Sequence, residues 1–165
     1  LLGCRRSELS RATWDEVDLD DGLIRLDRSR TKTDKPFLIV LSSTAISIIR
    51  SLPRVDGNPH LFPARNGFSF TGFDASKARC ERMLEVPVSP WRLHDLRRTC
   101  RTGLSKLRVD HDVAELCLGH ALPGVAGIYN RDAMLDERRE AMERWAGRVG
   151  GIVAPLPDGV VRLRA

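Results

Sequence analysis

From residue 94 onward the chain reads as wholly helical, and that confines its fold more than any other feature. Leu93, Leu96, Cys100, Leu104 and Leu107 recur at steps of three and four, one apolar stripe of an amphipathic helix. Val113, Leu116 and Cys117 predict a second, shorter helix ended near Gly119. Leu135, Met142, Trp145 and Val149 predict a third over 134–149. Strand-like runs lie near the other end: 23–26 (Leu-Ile-Arg-Leu) and 37–41 (Phe-Leu-Ile-Val-Leu), the first entered through the turn signal Asp21-Gly22. The pattern predicts a mixed α+β class, mainly α-helical: a helical domain with a small antiparallel sheet near its N-terminal end.

Between these parts, Ser42 or Ser43 is placed to cap a helix carrying Ala45, Ile46, Ile48, Ile49 and Leu52 and ended by Pro53. A further helix over about 75–84 stops before Pro87. The first nine residues read as a helix entered midway, so the chain is expected to be a fragment of a longer protein. Its 165 residues suit one domain with a real core, with about 70% of the unfolded surface buried. Residues 1–149 are expected to form that domain, with Trp14, Trp91 and Trp145 as core anchors. Residues 150–165, opened by Gly150-Gly151, are expected to be a flexible tail. Cys4, Cys80, Cys100 and Cys117 form no C-x-x-C pair, which argues against a disulfide scaffold or zinc site and for a reduced setting. No apolar run approaches the roughly 20 residues of a membrane span.

Charge is distributed unevenly. Residues 77–110 carry 9 basic and 4 acidic side chains, while 1–76 carry 11 and 10 and 111–165 carry 7 and 8. The whole excess therefore sits in one stretch, as for a polyanion-binding face, although a solvated basic helix has the same composition. Within that stretch, His94 and Arg97 stand three apart, and Arg98 and Arg101 follow at four and seven from His94. An imidazole beside a forked guanidinium is suited to phosphate.

Four more landmarks flank this H-x-x-R pair. Gly3-Cys4-Arg5-Arg6-Ser7-Glu8 opens the chain, and Thr31-Lys32-Thr33 lies between the two strand-like runs. Leu118-Gly119-His120 is followed nine residues later by Tyr129, the sole tyrosine, within Val125-Ala126-Gly127-Ile128-Tyr129-Asn130-Arg131. In this order the set resembles the catalytic domain of the tyrosine recombinase (phage integrase) family over about residues 1–149. The resemblance leaves out that family's N-terminal DNA-clamping domain, and Thr99-Cys100-Arg101 stands where the family usually has an aromatic after Thr.

The resemblance implies that Arg5, Lys32, His94, Arg97, His120 and Tyr129 are catalytic, that Glu8 steadies Arg5, and that Arg98 and Arg101 touch DNA. Two guanidiniums would bind the non-bridging phosphate oxygens as charge develops there. The histidines would add hydrogen bonds, with His94 placed to take the Tyr129 proton. Tyr129 would attack phosphorus to form a 3′-phosphotyrosyl link that conserves bond energy, so neither cofactor nor metal is expected. Lys32 would protonate the leaving 5′-oxygen. The implied partner is double-stranded DNA, as a homotetramer on paired sites in the full-length protein and a monomer for this chain alone. The implied setting is the bacterial cytoplasm, at the nucleoid and away from membranes. A nicking-resealing enzyme of the type IB topoisomerase kind and a non-catalytic basic DNA-binding module are the competing readings.

Overall fold

The computed structural model describes residues 1–120 and 134–154. Its organising element is a three-stranded antiparallel sheet. β1 (Val17–Asp18) and β2 (Leu23–Leu26) are joined by a turn in which Asp18 accepts a hydrogen bond from the Asp21 amide at 2.9 Å and Gly22 takes φ +65°. β3 (Phe37–Val40) pairs with the other edge of β2, with Leu23 opposite Val40 and Ile24 opposite Ile39. β2 and β3 stand where their apolar and β-branched residues predict them. The two-residue β1 is an addition, formed as Val17 and Asp18 complete the backbone pairing of β2.

Both faces of the sheet are covered. Successive side chains of a strand point to opposite faces, and here the two faces feed two separate clusters. Leu23 and Val40 join Cys100, Leu104, Val113, Cys117, Leu118, Met142 and Trp145. Ile24, Leu26, Ile39 and Leu41 join Ala12, Ala45, Ile49 and Leu61. Each fully buried aliphatic side chain contributes on the order of 1.5–3 kcal/mol.

Six α-helices accompany the sheet among the described residues: α1 (Arg6–Ser10), α2 (Ser43–Arg50), α3 (Phe73–Arg82), α4 (Leu93–Lys106), α5 (His111–Leu118) and α6 (Leu135–Val153). Ser42 caps α2 by accepting from the Ala45 amide, and Asp110 caps α5. None of these helices is long and apolar enough to cross a membrane.

Four expectations change. Residues 1–5 are not helical: Gly3 sits at φ +65°, and Glu8 accepts from the Arg5 amide at 2.7 Å, so the helix begins at Arg6 with its own cap. Leu96 is 58% exposed, and Arg97 takes its place in the buried stripe of α4. α6 continues through Gly150 and Gly151 to Val153, with the Ala154 amide still bonded to the Gly150 carbonyl at 2.8 Å. Propagation from a packed helix adds one bond per residue and tolerates such residues at the end. Of the three tryptophans, Trp145 is buried in the first cluster and Trp14 packs against the second, while Trp91 belongs to neither. Trp14 is half-buried beneath the Arg54 guanidinium, 4.3 Å from its ring centroid, and Trp91 is half-buried beside Lys77.

Candidate active site

The site is built where the N-terminal segment crosses α4 and meets the end of α5. Gly3 makes the crossing possible. A Cβ there would lie 2.9 Å from the Cys100 sulfur, and its backbone is left-handed, so only glycine lets the segment lie this close to α4. Its carbonyl then accepts a hydrogen bond from Arg97 Nη1 at 2.7 Å. A buried guanidinium needs such acceptors, since an unpaired buried charge is strongly destabilising. Burial, and then the nearby Arg5 charge, push the Arg97 pKa down from its ordinary value, which starts far enough above neutrality to leave the group charged.

Arg5 lies two residues beyond Gly3. Glu8, 1% exposed, holds it twice, accepting from the backbone amide and, at 2.7 Å, from Nη1. The Glu8 carbonyl accepts in turn from Arg30 at 3.3 Å, and Arg30 also pairs with Glu16 at 2.7 Å. Arg30 lies within the connection between β2 and β3, two residues before Lys32, so the base of the Lys32 loop is tied to α1. Thr31 Oγ1 braces this loop, donating to the Lys35 carbonyl at 2.7 Å and accepting from its amide at 3.2 Å. Lys32 itself is exposed.

α5 ends in a Schellman motif. The His120 amide donates to the Glu115 carbonyl and the Gly119 amide to the Leu116 carbonyl, both at 3.0 Å, with Gly119 left-handed at φ +74°. This reversal folds His120 back over Glu115, and the Nδ1 of His120 hydrogen-bonds Glu115 Oε2. Its Nε2 lies 2.7 Å from Arg97 Nη2. Glu115 Oε1 accepts from Arg101 Nε at 2.6 Å. Burial pushes the Glu115 carboxyl up, but the bonds from His120 and Arg101 outweigh it and hold the pKa below its ordinary value.

The structure therefore brings Arg97 and His120 into direct contact, with Arg5 and Glu8 beside them. Arg101 joins the same group through Glu115. His94 lies exposed in the first turn of α4 and forms no hydrogen bond to these groups among the described residues. Arg98 points to solvent, 76% exposed in its side chain, with Asp95 Oδ1 3.3 Å away. The α4 cations thus divide between two faces rather than sharing one. Tyr129 lies outside the described residues. Three guanidiniums, of Arg5, Arg97 and Arg101, meet two carboxylates, of Glu8 and Glu115, an excess of positive charge that suits an anion.

Two contributors escape a reading by residue type. Gly3 was visible only as a motif letter, and its signal is the left-handed turn. Glu115 resembles any exposed helix carboxylate; its signal is the Leu-Gly-His ending of α5, which brings a side chain five residues back against the histidine.

The phage integrase family model matches residues 2–136. The prophage integrase IntZ of Escherichia coli (strain K12) is 28% identical over 156 residues, 93% of this chain and 38% of that protein. The integrase of Shigella phage Sf6 is 28% identical over 151 residues, 86% of this chain and 37% of that one. The chain thus spans under two fifths of the length of these relatives. Among solved structures, the XerA recombinase superposes with a TM-score of 0.51 at 20% identity, covering 94% of this chain and 55% of that one, a likeness of fold.

Proposed function

Since the chain belongs to the phage integrase family, we propose that it is the catalytic part of a site-specific DNA recombinase that cuts and rejoins duplex DNA through a 3′-phosphotyrosyl intermediate. The observation that carries this reading is the buried Arg97, bonded to the Gly3 carbonyl and to His120 beside an Arg5 fixed by Glu8. Two preorganised guanidiniums meet the charge that builds on the non-bridging oxygens when phosphorus is attacked, and charge fixed before the reaction costs no reorganisation during it.

In the proposed step the Tyr129 oxygen attacks phosphorus, forming one P–O bond as the bond to the 5′-oxygen breaks. The phenolic proton passes to His94, and Lys32 delivers a proton to the leaving 5′-oxygen. Reversal by another strand's 5′-hydroxyl rejoins the DNA. The exposed position of Lys32 on the braced β2–β3 loop and of His94 at the start of α4 supports these roles. Glu8 supports Arg5. Arg98 belongs to the DNA side of α4, and Arg101 acts through Glu115. The full-length protein acts as a tetramer on paired sites in the bacterial cytoplasm, and this chain alone is a monomer.

The test is a suicide substrate nicked so that the 5′-hydroxyl product diffuses away, trapping any covalent adduct. The chain should form the adduct, the labelled peptide should contain Tyr129, and Tyr129→Phe should abolish it with DNA binding retained. An adduct that persists in Tyr129→Phe removes the nucleophile. Binding with no adduct in either protein favours a non-catalytic DNA-binding module. Adduct formation and resealing without strand exchange between duplexes favours a nicking-resealing enzyme.

A further inference from the structure

The hydrogen bonds around His120 determine where its proton resides. Arg97 Nη2 lies 2.7 Å from Nε2, and a guanidinium only donates, so Nε2 is an acceptor there. Glu115 is held below its ordinary pKa, and an ionised carboxylate only accepts, so the proton at the other nitrogen must be on Nδ1. Both constraints agree on one form, a neutral imidazole with N–H on Nδ1 facing Glu115 and a bare Nε2 facing Arg97.

Glu115 could not impose this form if it were free to turn. Its second oxygen is occupied by Arg101 Nε at 2.6 Å, and Arg101 is itself steadied by donating to Ser105 Oγ at 2.5 Å. The other groups nearby are His111, whose Nε2 is 4.0 Å from Glu115 Oε1, and, beyond Arg97, Arg5 and Glu8. The sequence spacing makes the chain of contacts compact: Arg101 and Ser105 are one turn apart on α4, and Glu115 and His120 are joined by the Schellman bond that closes α5.

We infer that Glu115, locked by Arg101, is a positioning residue that fixes the tautomer of His120 and aims its Nε2 at Arg97. The inference rests on the proposed function only for its consequence: a phosphate arriving at Arg97 meets His120 in one set orientation rather than two. It also gives Arg101 a different duty from a phosphate contact, as the clamp on the carboxylate.

The test uses an isosteric change. In Glu115→Gln the amide oxygen is drawn to Arg101, which can only donate, and the amide NH2 is left facing His120 Nδ1. A donor then faces each ring nitrogen, the amide at Nδ1 and Arg97 at Nε2, so neither neutral tautomer satisfies both and the single form should give way to a mixture of the two. In Glu115→Gln with Arg101→Ala, the amide is free to rotate and return its oxygen to Nδ1, so the original tautomer should reappear. Long-range proton–nitrogen correlation spectra of histidine-labelled protein at a pH of about 8.5, well above the ordinary imidazole value, report the tautomer directly. His120→Gln identifies its signals. In Tyr129-competent protein, adduct formation on the suicide substrate should fall about tenfold or more in Glu115→Gln and recover in part in the double variant.

A wild-type ring carrying its proton on Nε2 overturns the inference, as does an unchanged tautomer in Glu115→Gln. A single tautomer lost in Glu115→Gln and regained in the double variant, with adduct formation unaffected, supports the positioning by Glu115 and removes His120 from the proposed chemistry.

Discussion

The six-membered ring of Trp145 occupies the space where Gly103 would carry a side chain: a Cβ built on Gly103 would stand 2.1 Å from Trp145 Cζ3 and 2.6 Å from Cε3. α6 is therefore seated on α4 by an aromatic ring packed against the helix at Gly103, within the same chain and inside a core cluster. Because α4 carries Arg97 and Arg101, this contact fixes the platform on which the candidate site is built.

Gly103→Ala should accordingly destabilise the protein, although alanine is the better helix former. Overpacking of this kind costs about 1–3 kcal/mol, which in a chain this long lowers the Tm by about 2–4 °C per kcal/mol. Gly147 on α6 is the control: a Cβ there meets nothing within 4 Å. Gly147→Ala should raise stability by about 0.5–1 kcal/mol through helix propensity. Urea unfolding of the two variants checks both signs, and equal effects would remove the steric account.

Arg98 and Arg101 should separate in salt dependence. Arg98 extends into solvent, whereas Arg101 is engaged by Glu115. Each phosphate neutralised contributes about 0.9 to the slope of log affinity against log salt. Arg98→Ala should lower that slope by about one contact, while Arg101→Ala should leave it near the parent value. Binding is measured in the Tyr129→Phe background so that no adduct forms. An unchanged slope for Arg98→Ala would make its part of α4 a solvated surface.

The acid role of Lys32 is tested by changing the leaving atom. A thiol, with a pKa of about 8.5, departs without the proton an alkoxide requires. Lys32→Ala should cleave ordinary DNA at least about a hundredfold more slowly, as for loss of a general acid, and regain most of its rate with sulfur at the 5′-bridging position. Arg5→Ala and Arg97→Ala should gain far less, since their oxygens are unaltered. Equal gains for wild type and Lys32→Ala would assign the proton to another donor.

Acid should weaken the Glu115 bridge. Its folded-state pKa lies below the ordinary value of 4.5, so the folded protein binds fewer protons there than the unfolded chain. The stabilisation is therefore complete above about pH 4.5 and is lost as pH falls through the lower, folded value. Wild type should exceed Glu115→Gln in stability at pH 7, and the difference should shrink toward pH 3. A constant difference would mean that Glu115 acts by packing alone.

Much of the local structure was written in neighbouring residues. Ser42 beside the α2 run, Asp21-Gly22 before β2 and Gly119 after α5 announce their elements because caps, turns and left-handed stops depend on a few adjacent groups. The order of Arg5, Lys32, His94, Arg97, His120 and Tyr129 likewise pointed to one family, and the family model over residues 2–136 agrees. What hydrophobic spacing could not show was the buried side of α4. It favoured Leu96, yet Arg97 is inside and Leu96 is exposed. A guanidinium enters a core stripe only when acceptors are waiting, and those come from Gly3, 94 residues away, and from His120 at the end of another helix. The duty of Glu115 was hidden for the same reason. A carboxylate's pairing is set by whichever donors packing brings within reach, so the sequence alone named the charges of the site, and only the folded chain decided which of them face solvent and which hold one another.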